Sequence, residues 1–341
     1  MARKHLQSLL NQFWVLSPKR MLAGFTLIEL LLAMAIGSIA ISLLLALMTR
    51  LLRTDQQESV RNATQSEMQM ALNYISQDMR EATYVYDGSC IQGRTDDPAT
   101  TANEYCSGIV NHITIPANSV PILAFWKLEP LPDECQTAAN QTAALCGPFL
   151  LAGRTPTLVV YFLRRNQSSE APEWRGQARI TRYELDQFTV SNGNLSLTPR
   201  SSGYVNPNSN GTSYRTWPRR QVNGTWTNDL QTGLPVLTPS NPMVLVDFVD
   251  AGINGSDPVC DAQYTASPHI STNGQIAAVK SFYACVRNTV NQQSGLNQDV
   301  LVYLRGNSVG RQGNYDNGFF PTLQTQVLGR GVIGKQPQTP Q

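Results

Sequence analysis

Apolar positions follow three regimes along the chain. Residues 25–48, FTLIELLLAMAIGSIAISLLLALM, form an almost unbroken apolar run whose single charge is Glu29. At 1.5 Å per residue this run can cross a hydrocarbon core of about 30 Å, and it is too long for the apolar region of a cleaved signal peptide. After Met48 the pattern turns amphipathic. Met68, Leu72, Ile75, Met79 and Ala82 recur every three or four residues with Ala71 beside them, while Gln65, Gln69, Asn73, Gln77 and Arg80 take the other face. No proline occurs between Pro18 and Pro98. The spacing therefore predicts one helix from about residue 25 to about residue 85, membrane-spanning over 25–48 and amphipathic over 49–87, where it continues into a globular head. A Met and Leu stripe at this spacing reads as core packing and not as a ligand site.

Beyond Asp87 and Gly88 the period shortens. Runs rich in Val, Ile, Tyr and Phe and bounded by Pro, Gly, Asn and Asp appear at 109–115, 120–126, 157–163, 178–185, 243–249, 277–286 and 299–304. These are strand signals, and with the preceding helix they predict an α+β fold: a long N-terminal helix packed on an antiparallel sheet. The head is expected to span 88–330. Within it, 186–242 is rich in Ser, Asn, Gly and Thr and is expected to be an elaborated loop or an added hairpin. The final residues, 331–341, carry too few apolar side chains to fold and are expected to be a disordered tail.

Composition changes this picture in one respect, the compartment. Charged residues make up 15% of the chain, against about 25% in a typical soluble protein. The six cysteines, Cys90, Cys106, Cys135, Cys146, Cys260 and Cys285, all lie in the head and include no CxxC pair, so structural disulfides in an oxidising compartment are expected. Of the 15 possible pairings, short sequence separation selects Cys90 with Cys106, Cys135 with Cys146, and Cys260 with Cys285. The net charge of +2 excludes nucleic-acid binding by bulk charge. It conceals an asymmetry: residues 1–24 hold four Lys and Arg and no acid, leaving 22 bases against 24 acids elsewhere.

The amino terminus carries a resemblance. Lys19-Arg20, then Gly24-Phe25-Thr26-Leu27-Ile28-Glu29, then an apolar helix, is similar to the type IV prepilin signal shared by pilins and by the pseudopilins of type II secretion systems. The resemblance implies a leader at 1–24, cleavage after Gly24 by a prepilin peptidase, N-methylation of Phe25, and use of the helix as both anchor and assembly element. It implies that the Glu29 carboxylate pairs with the new terminal amine of its own or a neighbouring subunit, which would offset the cost of an acid in lipid. Implied partners are other pilins or pseudopilins, an inner-membrane assembly platform and the bilayer, with the N-terminus cytoplasmic and the head extracytoplasmic. Arg50, Arg53 and Arg61 follow the helix, so the charge bias alone would not orient it. The chain lacks the helix-kinking proline of many major pilins, having Ala46 there. Its size points to a minor subunit and resembles the J-type pseudopilin or the W-type minor pilin. The segments 71–88 and 120–127 also resemble the hormogonium polysaccharide secretion pseudopilins of filamentous cyanobacteria. The resemblance thus implies a structural subunit of a filament serving secretion or motility. The alternative is a membrane-tethered carbohydrate-binding or adhesive protein whose head carries the function.

Catalytic chemistry is not expected. Gly306-Asn307-Ser308-Val309-Gly310 matches the G-x-S-x-G nucleophile elbow and follows a predicted strand, but RQGNYDNG after it is a turn sequence, not the helix that motif requires. The histidines beyond the leader, His112 and His269, lack an acid partner in a triad motif and metal-ligand spacing; His112 lies in an apolar run and reads as a strand residue. Asp257 and Asp261 lack EF-hand spacing, so no metal or cofactor is assigned. In 213–226, Arg215, Arg219 and Arg220 interleave with Tyr214, Trp217 and Trp226, a combination able to bind anionic glycan if the rings are exposed. The expectation is that the tryptophans pack onto the sheet instead.

Overall fold

The computed structural model describes residues 26–93, 106–136, 146–170, 172–191, 194–196, 204–208, 212–223, 225–228, 243–252, 259–268, 279–287, 297–312 and 318–332. The chain divides into two compact units, 1–55 and 56–341. Helix α1 (Leu27–Arg80) is followed by β1 (Ala82–Val85), α2 (Gly88–Gln92), β2 (Ser119–Pro130), α3 (Gly147–Leu150), β3 (Arg154–Arg165) and β4 (Ala178–Leu185). Then come β5 (Thr189–Ser191), β6 (Asn194–Ser196), β7 (Arg219–Val222), β8 (Thr225–Asn228), β9 (Met243–Val249), β10 (Tyr264–Ser267), β11 (Phe282–Arg287), β12 (Asn297–Arg305) and β13 (Thr322–Val332).

In the second unit a five-stranded sheet, ordered β1-β2-β3-β4-β9, and a four-stranded sheet, β10-β11-β12-β13, are antiparallel throughout. Both faces of the larger sheet are covered, which explains why its central strands read as continuous apolar runs. The side-chain period of two divides β2 and β3 between two cores. Leu123, Phe125, Val159, Tyr161 and Leu163 face the stripe Met68, Ala71, Leu72, Ile75 and Met79 of α1 and the inner residues Phe282, Ala284, Val300 and Val302 of the second sheet. Ala124, Trp126, Leu158, Val160 and Phe162 face a second core closed by Ile91, Ile109, Tyr204 and Trp217. Gln298 of β12 joins the sheets: its side-chain amide accepts from the Val85 amide and donates to the Val85 carbonyl, both at 2.9 Å.

The structure differs from the sequence reading at three places, and within 186–242 it builds two hairpins where a loop or one added hairpin was expected. Helix α1 stops at Arg80, and Ala82–Val85 is a strand paired with β2, so the helix does not reach residue 85. Thr83, Tyr84 and Val85 are β-branched or aromatic, and the edge of β2 offers their backbone a ladder. The 109–115 run is a 3₁₀ turn at Ile109–Asn111 and not a strand. There Ile113 donates to the Ile109 carbonyl at 3.1 Å, burying both side chains one turn apart. The two small hairpins are β5-β6 and β7-β8. Strands β10 and β13 had no sequence signal: β13 alternates Leu323, Thr325 and Val327 with Gln324 and Gln326, too polar a run to register, and it extends two residues past 330. Residues 333–341 lie outside the described residues.

Three disulfides brace the head: Cys90–Cys106, Cys135–Cys146 and Cys260–Cys285, with sequence separations of 16, 11 and 25 residues. No cysteine is free. The short helix α2 positions the first of these, because the Asp87 side chain caps it by accepting from the Cys90 amide at 2.8 Å.

Candidate functional site

The first candidate is the apolar part of α1. Among the described residues it is the one helix long and apolar enough to cross a membrane, and none of its apolar stretch is buried. Leu27 and Ile28 are 78% and 76% exposed, and Leu43 and Leu44 further along are 67% and 65% exposed. Water cannot favour such a surface, so it requires lipid or protein around it. Thr26 precedes the first helical residue and Glu29 stands in the first turn. This Thr-x-x-Glu spacing is that of a capping box, which sets a carboxylate among the unpaired N–H groups of a helix start. That spacing is legible in the sequence and stands beside the pairing with a terminal amine that the resemblance implies for Glu29. Gly24 and Phe25 lie outside the described residues.

The second candidate is the end of α1, where it meets the sheet through a buried ionic cluster. The Asp78 carboxylate receives Lys127 Nζ at 3.1 Å, Arg182 Nε at 2.8 Å and the Tyr161 hydroxyl at 2.8 Å. Lys127 also contacts Glu129 at 2.6 Å and Glu184 at 3.3 Å, and Arg182 pairs with Glu184. Burial alone would raise the Asp78 carboxyl, but Arg182, Lys127 and Tyr161 outweigh it and hold the group below the usual carboxylate range. Nearby Asp186 is pushed up to about 6 by burial and by the charges of Glu184 and Glu129. Folding therefore favours the protonated form of Asp186. Its cost is absent below the unfolded value near 3.8, grows as pH rises to about 6, and is complete above that. Asp186→Asn is expected to raise the melting temperature at pH 7 and to change it little at pH 4. Equal effects at both pH values would contradict this assignment.

Four of the remaining sequence candidates, Ser308, His112, Tyr214 and Trp217, are buried. Ser308 is 1% exposed and its hydroxyl accepts from the Phe319 amide at 2.7 Å. His112 is buried, and burial beside Arg219 lowers it to about 4, so it is neutral at pH 7. His269 and Asp257 lie outside the described residues; Asp261 is exposed. Tyr214 and Trp217 are core residues. Trp217 is fully buried, donates to the Val205 carbonyl at 2.7 Å and stands edge-on to Trp126, while Tyr214 stacks on Tyr84. They offer no platform to a sugar. An open groove of about 470 Å³, unforeseen in the sequence, is lined by Met70, Tyr74, Trp174, Leu245 and Val246.

The prokaryotic N-terminal methylation motif matches residues 19–45. That match supports a type IV pilin-like protein, a class whose shared part is structural and not enzymatic, and it implies processing by prepilin peptidase and assembly with other pilins. Together with the exposed apolar helix it is consistent with a single-pass membrane anchor. No curated protein and no solved structure matches the chain.

Proposed function

We propose that this chain is a minor pseudopilin or minor pilin, cleaved after Gly24, N-methylated at Phe25, and assembled through residues 25–48 into a filament that serves secretion or motility. The observation that carries the reading is the methylation motif running directly into an exposed apolar helix with Glu29 in its first turn. Three disulfides favour an extracytoplasmic head, because such bonds persist in oxidising compartments. A head built from two sheets and two added hairpins is bulky. A shaft subunit must tile at every helical position, whereas a terminal or occasional subunit need not, and this favours a minor role. The likeness to the J-type and W-type subunits and to the cyanobacterial polysaccharide-secretion pseudopilins supports the same reading and makes polysaccharide a candidate cargo.

Glu29→Gln is expected to leave the chain processed and membrane-inserted but absent from filaments, while Gly24→Val is expected to leave a longer, unassembled precursor. A β-branched side chain would obstruct the close approach that glycine allows at the cut. Mass spectrometry of the mature N-terminus and cross-linking of co-assembled subunits read both. If Glu29→Gln chains assembled normally, or if the mature chain retained Met1, a membrane-tethered binding protein would be the better reading.

A further inference from the structure

The charges around the apolar helix are spaced like a bilayer. Between Glu29 and Arg50 stand 20 residues without a charge, which at 1.5 Å per residue cover about 30 Å, the thickness of a hydrocarbon core. Arg50 and Arg53 follow at once. They are three residues apart and so lie on one side of the helix, separated by about 4.5 Å along its axis. That offset fits within one headgroup layer of about 5–7 Å. The turn that carries them is itself apolar, with Leu51 and Leu52 exposed by 63% and 52%. The two arginines can thus lay their stems along an apolar surface while their guanidinium groups reach polar atoms.

Neither guanidinium has an acid partner within the described residues. Asp55 is two residues beyond Arg53 and five beyond Arg50, and neither spacing faces it toward them. The contrast is Arg61, which bonds to Glu58 at 3.2 Å. Helical side chains also lean toward the N-terminus, which directs Arg53 back to the level of the lipid phosphates and not out to water. We propose that Arg50 and Arg53 form a phosphate-binding pair that grips anionic phospholipid headgroups where the helix leaves the bilayer. The inference rests on the membrane-anchor reading. Guanidinium groups suit the ligand because they donate paired hydrogen bonds in the geometry of phosphate oxygens. The pair sets the depth of the helix, and its contacts must break when the subunit is drawn from the membrane.

The test reconstitutes the full chain in phosphatidylcholine vesicles and measures, by electron paramagnetic resonance, the preference of its lipid shell for spin-labelled phosphatidylglycerol over phosphatidylcholine. Cations at the leader end contribute equally to every variant, so the difference between variants is read. R50Q/R53Q is expected to lose about five-fold or more of the wild-type preference, R50K/R53K to lose less, and R61Q to lose none. Undiminished preference in R50Q/R53Q would overturn the proposal. So would unchanged preference with loss of self-association, which would make the pair a contact for acidic side chains of a second subunit. Vesicle flotation separates the two levels: chains that fail to float overturn the anchor reading and the proposal with it, whereas floating chains without the difference overturn the proposal alone.

Discussion

Replacing Ile75 with Asp is expected to unfold the head. Ile75 is fully buried on the stripe of α1 that packs against the larger sheet and the inner face of the smaller one. An aspartate there would lose the apolar transfer energy and place a charge among Leu, Val and Phe side chains with no partner, a combined cost above about 4–5 kcal/mol. That is a large fraction of the 5–15 kcal/mol by which folded domains are stable. The measurement is thermal or urea unfolding, followed by circular dichroism, of a chain beginning at residue 49. The unsubstituted form is expected to be soluble, folded and disulfide-bonded yet unable to enter filaments. Gln77→Asp, on the exposed face of the same helix, is the control and should shift stability by less than about 0.5 kcal/mol. A folded Ile75→Asp head with an unchanged midpoint would mean that the stripe is not core. A shortened head that polymerised unaided would mean that the apolar helix is only a tether.

Asp78→Leu is expected to cost about 3–5 kcal/mol, because it leaves Lys127 and Arg182 buried without their central carboxylate. Glu129 and Glu184 still touch the two cations, but their side chains are each 33% exposed and water competes for them. The companion variant Asp78→Leu/Lys127→Met/Arg182→Met removes the stranded charges and should regain most of the loss. If the triple variant proved as unstable as the single one, the cluster would owe its value to shape and not to charge. The acid limb gives an independent reading. A carboxyl held below its unfolded value contributes stability that is complete above that value and is lost as pH falls through the folded one. Asp78 behaves in this way, as does Glu170, which is held at about 2 chiefly by its hydrogen bond from Arg179. The wild-type head should therefore lose stability as pH falls below about 4, and Asp78→Leu should flatten part of that decline.

Much of this protein is legible in one dimension, and what is legible shares a physical character. The membrane-length helix depends on an unbroken apolar run, the α1 stripe on a spacing of three and four, and the strands at 157–163, 178–185 and 243–249 on β-branched and aromatic runs bounded by turn residues. The Thr26 and Glu29 cap spacing was equally local. Each property is decided by residues within a turn or a strand of one another. The boundary between α1 and β1 was not, since Ala82 fits the helical stripe and Val85 a strand, and only pairing with β2 decides between them.

The amino-acid sequence alone thus determined the membrane-length apolar helix, the methylation motif at its start, the α+β class and the amphipathic face that enters the head. Tertiary structure alone decided which chemistry is available. It buried Tyr214 and Trp217, withdrawing two rings of an aromatic and basic segment from any ligand, and it buried Ser308 with its hydroxyl accepting from a backbone amide. It also assembled the Asp78, Lys127 and Arg182 cluster across separations of 49 and 104 residues and set Gln298 against Val85 across 213. Such contacts depend on strand order and on which face of each strand is covered. Those are properties of the packed sheets, and a run of residues read in isolation carries neither.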